Sequence, residues 1–220
     1  MKQDLLLSIE TSSKVCSVCI SQADNILLEY SLTVSNSHDR FLAVFVKRAL
    51  EDLGLKPADL SALAISSGPG SFTGLRIGSA FAKGFCFDGK IKLVAVPTLF
   101  AIAFNCKKNI NADFSRVVAV SHSHKDLFFY QFFDHQSNPL SDIAFKSAVE
   151  LNNILQDSDI VVGIGAETFS VGVKFPILNI ISASAIAKAG WELYNQKKFV
   201  SPDEFVPSYF FEFQPNIKMK

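Results

Sequence analysis

Apolar runs and polar breaks alternate along the chain, and the length and period of each run predict what it forms. Residues 5–9, Leu-Leu-Leu-Ser-Ile, read as a buried strand, and Glu-Thr-Ser-Ser at 10–13 turns the chain. Residues 15–20 and 26–32 give two further strands across a polar Ser-Gln-Ala-Asp-Asn turn. The period then becomes helical. Phe41, Leu42, Phe45, Ala49 and Leu53 recur at helical spacing over 39–53, and Gly54 closes that helix. An apolar strand over 60–66 runs into Ser-Ser-Gly-Pro-Gly-Ser-Phe-Thr-Gly-Leu-Arg-Ile-Gly at 66–78, and a second helix is predicted over 72–87. A strand at 93–96 ends at Pro97, and a short helix follows over 98–106.

The second half repeats the alternation. Strands are predicted at 116–121, 127–133 and 159–164, the last running into Gly163-Ile164-Gly165. A helix over 147–155 starts with Ser147 as cap and Glu150 three residues on, the pattern of a capping box. A last long helix covers 183–196. This order predicts two α/β lobes, residues 1–104 and 105–220, joined over 105–113 where Lys and Asn cluster. No low-complexity segment or short repeat interrupts it.

Composition narrows the function classes. Lys plus Arg equals Asp plus Glu at 21 each, and the basic residues cluster only in pairs: Lys107-Lys108, Lys197-Lys198, and Lys218 with Lys220. A chain that grips nucleic acid by itself carries a basic excess or stripe. Near-zero net charge gives little colloidal repulsion, which suits a protein that works with a partner. The 21 phenylalanines are more than a core needs, so some are expected at a surface or an interface. The apolar runs fall short of a membrane span or a signal core. Cysteines at 16, 19, 86 and 106 are too scattered for a disulfide scaffold. The expectation is a cytoplasmic protein with reduced thiols and no membrane contact.

The candidate chemistry is sparse. Cys16 and Cys19 have CxxC spacing, but residues three apart on a strand face opposite ways, so they read as packing residues. His122 and His124, with Asp126 near, have the spacing of two metal ligands but lack clear remote partners, so no metal is expected. His38-Asp39-Arg40 fits a helix start, with Asp39 at the positive end of the dipole. His135 reads as a solvated turn residue. Glu10, Thr11 and Ser12 stand where an acidic turn could position a metal and phosphates, but without a glycine the backbone cannot easily reach an anion.

The stretch Gly68, Pro69, Gly70, Ser71, Phe72, Thr73, Gly74, Leu75, Arg76, Ile77, Gly78 is neither a P-loop nor a dinucleotide fingerprint. Its bareness serves either an anion at a helix start, with Arg76 to help, or a close approach of two backbones. Down the helix Gly74, Gly78 and Ala82 form a bare stripe, and Ile77, Phe81 and Phe85 a bulky one beside it. That is a helix-packing surface, either for the helix over 39–53 or for a partner subunit.

The stretch from Gly68 to Gly78 closely resembles the signature of the TsaB family. These are dimerisation subunits of the bacterial machinery that makes threonylcarbamoyladenosine in tRNA. Ser8-Ile-Glu-Thr-Ser-Ser-Lys-Val-Cys-Ser-Val18, Ser37-His38 with Leu42, and Val94-Ala-Val-Pro-Thr-Leu99 are similar to further family segments. The resemblance covers about residues 5–104. Beyond it the chain diverges: Ser121-His122-Ser123 stands where the family commonly has Asp-Ala-Arg. Phe210-Phe211, after Pro207 and Tyr209, replaces Leu-Arg.

The resemblance implies a two-lobed actin/hexokinase/Hsp70-like fold with ribonuclease H-like lobes. It also implies a pseudo-enzyme related to the catalytic subunit TsaD, binding TsaD through the two N-terminal-lobe helices, with the ATPase TsaE joining. The chain would have no cofactor of its own, ATP or ADP at the complex joint remaining open, and tRNA would be reached only through the complex. The residues expected at the interface are Phe41, Leu42, Phe45, Phe72, Leu75, Ile77, Gly78, Phe81, Ala82 and Phe85. On this expectation Gly78→Leu weakens the complex and leaves the fold intact. The alternatives are an enzyme in its own right, hydrolysing ATP or acting as a glycoprotease-like peptidase, and a homodimer through the same helices.

Overall fold

The computed structural model describes residues 4–33, 38–110 and 116–208. Five strands of the first half, β1 (Leu6–Glu10), β2 (Val15–Gln22), β3 (Asn25–Thr33), β4 (Ala62–Ser66) and β5 (Lys92–Val96), form one sheet in the order β3-β2-β1-β4-β5. β1, β2 and β3 pair antiparallel; β4 and β5 continue parallel to β1. The second half makes a sheet from β6 (Val117–His122), β7 (Leu127–Phe133), β8 (Ala144–Ser147), β9 (Ile160–Ile164) and β10 (Val173–Lys174), in the order β10-β9-β6-β7-β8. Its pairings have the same senses: β6, β7 and β8 antiparallel, β9 and β10 parallel. Read from the meander edge, both sheets follow the order third, second, first, fourth, fifth. The fold is therefore one α/β module used twice.

Burial follows from position in the sheet. β1 is central and covered on both faces, so all five residues are buried and its sequence is a continuous apolar run with Ser8 and Glu10. β3 is the edge strand, and its exposure alternates residue by residue. The helices are α1 (His38–Asp52), α2 (Phe72–Phe85), α3 (Thr98–Asn109), α4 (Ala148–Asn152) and α5 (Ala183–Asn195). On one face of the first sheet α1 and α2 pack over Leu7, Ile9, Val18, Leu63 and Ile65. His38 Nε2 meets the Val15 carbonyl at 3.1 Å and ties the start of α1 to β2.

The other face of that sheet carries α5, although α5 comes from the second half of the chain. Ser17 Oγ accepts the Ala183 N–H at 2.8 Å, Ser21 Oγ accepts Trp191 Nε1–H at 2.9 Å, and Gly190 lets α5 approach Ala64. α3 spans the position of the sequence-based joint at 104/105, touches α5, and covers the second sheet. One core cluster thus joins Leu6 and Val94, α3, α5, and Val117 and Ile160 across both lobes. At the far side of the second sheet Asp159 is buried and held in a fork by Arg116, Nε at 2.7 Å and Nη2 at 2.6 Å.

After α5 the chain returns along the first lobe. Val200 pairs with Leu93, Phe205 enters the first-lobe core, and the Ser208 N–H donates to the Ser67 carbonyl at 2.8 Å. Cys16 and Cys19 point to opposite faces of β2, into separate clusters, and burial pushes the Cys16 thiol up to about 11. They are packing residues. Residues 111–113 of the sequence-based joint lie outside the described residues, as do Ser37, Tyr209, Phe210 and Phe211.

Candidate functional site

A cavity of about 1090 Å³ lies between the lobes. The first lobe lines it with Ser12 to Val15 from the β1–β2 turn, His38 and Asp39 from the start of α1, and Pro69 to Leu75 from the glycine turn. The second lobe contributes Ser121 to His124 at the end of β6, Gly165, Glu167 and Thr168 after β9, and Asn179 to Ile181 before α5. Ser208 completes the lining. The walls are mostly hydroxyl and aliphatic, with Lys14, Glu167 and two exposed imidazoles as their polar landmarks.

The Glu10 turn faces inward. Glu10 is fully buried, and its Oε1 accepts from the Ser12 N–H at 2.5 Å and from the Ser12 hydroxyl at 2.6 Å. Oε2 is buried too, with the Ser66 hydroxyl turned toward the carboxyl, and the Thr11 hydroxyl is buried beside the turn. Burial raises the carboxyl from 4.5 to about 7, against the opposing pull of hydrogen bonds from Ser12 and Ser66. Glu10 does not line the cleft, and the Ser12 N–H that could meet an anion is already bound to it. A nucleotide phosphate with its metal does not fit this turn: the carboxylate is sealed and the backbone donor is spent.

The glycine stretch serves close approach. A Cβ at Gly74 would collide with the Thr11 carbonyl, and one at Gly78 with the Thr11 hydroxyl. At Gly70 it would stand 2.5 Å from the Ser12 carbonyl oxygen. The bare stripe of α2 is therefore seated on the β1–β2 turn. Gly68 has φ +104, and its missing side chain leaves room for the Ser208 carbonyl. Ser71 caps α2, its Oγ accepting from the Gly74 N–H at 3.2 Å. Thr73 is exposed, and the Arg76 guanidinium stacks over the Phe72 ring at 5.2 Å.

This geometry corrects part of the expected interface. Leu42, Leu75, Gly78 and Ala82 are buried in the chain's own core and cannot face a partner. Gly78→Leu would break the packing on Thr11, so it does not leave the fold intact. Phe41, Phe45, Ile77, Phe81 and Phe85 are half-buried, and Phe72 is 39% exposed. Phe41 packs tilted against Phe45 and Phe81 stacks with Phe85, so α1 and α2 each present an aromatic edge. Val44, on the outward side of α1, is 54% exposed.

His122 ends β6, with Nε2 at 2.8 Å from the Lys125 carbonyl and its ring edge-on to Phe128. His124 lies in the following turn, its Nδ1 at 3.1 Å from the Ser123 hydroxyl. Both reach the cleft, but among the described residues no group of three or more His, Cys, Asp or Glu converges on a metal position. Sequence reasoning missed Lys14, Glu167, Asn179 and Ser208 as cleft residues. They come together only through the packing of the lobes, and no local spacing marks them.

Residues 32–186 match the family model of TsaD, the tRNA N6-adenosine threonylcarbamoyltransferase. A Bacillus subtilis protein named for tRNA threonylcarbamoyladenosine biosynthesis, TsaB, is 32% identical over 100 residues, 46% of this chain and 44% of that one. Its Escherichia coli counterpart is 33% identical over 98 residues, 44% and 42% of the two chains. The chain belongs to the TsaB–TsaD family.

The match spans less than half the length of these TsaB relatives. A Pseudomonas aeruginosa structure described as similar to the peptidase YeaZ superposes with a TM-score of 0.78 at 21% identity, covering 94% of this chain and all of that one. An activator of 2-hydroxyisocaproyl-CoA dehydratase from Clostridium difficile, solved with ADPNP, gives 0.53 at 8% identity over 89% and 97%. At these identities the likeness is one of fold: the TsaB–TsaD chain has the two-lobed actin-like architecture with ribonuclease H-like lobes.

Proposed function

We propose that the chain is a non-catalytic subunit in the synthesis of threonylcarbamoyladenosine on tRNA, working in the cytoplasm. It binds the TsaD transferase through α1 and α2, TsaE joins the pair, and tRNA is met only through the assembly. The observation that carries this reading is the pair of aromatic edges on α1 and α2, half-exposed beside the exposed Val44. Aromatic groups held at a surface by a rigid helix are the anchors that protein interfaces use. The buried Glu10 turn supports the non-catalytic part, because its carboxylate Oε1 and its Ser12 N–H are engaged with each other. On this reading the chain holds no cofactor of its own.

The test uses TsaD from the same organism and a binding titration. Val44→Asp and Phe81→Glu should each weaken the complex by about tenfold or more, equivalent to about 1.4 kcal/mol, with unchanged circular dichroism. Unchanged affinity in both variants removes α1 and α2 as the contact. Turnover of ATP or a peptide by the purified chain, lost in Glu10→Ala, would replace this reading with that of an enzyme. A stable homodimer that excludes TsaD would turn the same face over to self-association.

A further inference from the structure

The two sheets end in edge strands β3, β5, β8 and β10, and all but β3 are guarded. β5 is bridged on its outer side by Val200, whose N–H donates to the Leu93 carbonyl at 2.9 Å. β8 has four residues and carries Lys146; β10 has two and carries Lys174. Short length, lysine and a covering segment are the ways natural sheets keep an edge from pairing with another chain. β3 has none of them. It is nine residues long and holds no Lys, Arg or Pro, and among the described residues nothing pairs with its outer side. Its pairing with β2 shifts register between Ile20 and Ser21, which leaves Leu27 as the extra residue. From Leu28 to Thr33 the register is unbroken.

We infer that β3 seats a second copy of this chain, paired antiparallel about a two-fold axis at Tyr30, so that two first-lobe sheets continue as one. The strand's own sequence selects the occupant and the register. Residues opposed in such a pair share a face of the sheet, so the axis falls on a single residue. An axis at Glu29 sets two carboxylates against each other. One at Tyr30 sets Tyr30 on Tyr30, Leu28 on Leu32 and Glu29 on Ser31, the last two pairs each made twice. Leu28 and Tyr30 pack against the α1 side of the core and, like Leu32, remain half-buried. The copy therefore completes an apolar strip that a single chain leaves partly in water. Charge agrees as well. The Arg48 guanidinium lies over the Tyr30 ring at 5.6 Å and 3.6 Å from Asp52, whose carboxylate accepts from the Tyr30 hydroxyl. The axis brings two such pairs together, with Arg48 of each copy toward Asp52 of the other.

Light scattering of the full chain over a dilution series tests this. The expected mass is twice 24.1 kDa in concentrated protein, falling to 24.1 kDa on dilution. Ser31 is exposed, so a charge there leaves the fold intact, with circular dichroism as the check. Ser31→Glu meets Glu29 of the other copy twice in each dimer and should weaken the dimer about tenfold or more. Ser31→Lys meets the same carboxylates and should hold the dimer or tighten it. A mass of 24.1 kDa at every concentration overturns the proposal. Equal weakening by both charges overturns it too. So does a dimer that Ser31→Glu leaves unchanged, and its loss in Phe81→Glu would then place that dimer on α2.

Discussion

Glu10 sits in the middle of the first sheet's carboxyl edge, buried, with Oε1 held by the Ser12 N–H and hydroxyl. Burial holds its folded-state pKa near 7, against 4.5 when exposed. The folded protein therefore binds the proton more tightly than the unfolded chain. The stabilisation is fully present below about pH 4.5, falls as pH rises between 4.5 and 7, and is gone above 7. The size of that fall is about 3 kcal/mol. Glu10→Gln keeps an acceptor for Ser12 and removes the charge. Urea unfolding at pH 5 and pH 8 should show a large drop for the wild type and a much smaller one for Glu10→Gln. Equal drops in both proteins would mean that the carboxyl does not titrate in this window.

At the scale of the element, α2 carries its own control experiment. Gly74→Ala places a methyl against the Thr11 carbonyl and should cost about 1–3 kcal/mol, because backbone cannot yield cheaply. Gly84→Ala, on the same helix, meets nothing within 4 Å and should stabilise by about 0.5–1 kcal/mol through helix propensity alone. Thermal melts of the two variants should move in opposite directions; a shared direction would contradict the seating of α2 on the turn. The periodicity of Gly74, Gly78 and Ala82 was legible in the sequence as a close-approach stripe. What it approaches was not, because the covering turn at 10–12 is distant in the chain. β8 and β10 were missed for a related reason. They are edge strands of four and two residues, half-buried or exposed, and a run that short has no period to read. The Ser147 capping box held, but its helix ends at Asn152 rather than at 155.

In the whole molecule two copies of one module are fused by α3 and α5, which share a single core cluster. The alternation of strands and helices announced both modules. The return of α5 to the first sheet was not announced, since Ser17 and Ser21, which receive it, read as ordinary strand serines until Ala183 and Trp191 are seen on them. The same return brings Ser208 to the cleft. A shared core of this kind keeps the lobes from opening freely. The most direct measurement is the mass of the chain mixed with TsaD from the same organism, by size exclusion with light scattering, with and without ATP. The account predicts a complex containing both proteins, formed without ATP and lost in Val44→Asp. A 24.1 kDa chain that elutes alone under both conditions would contradict it.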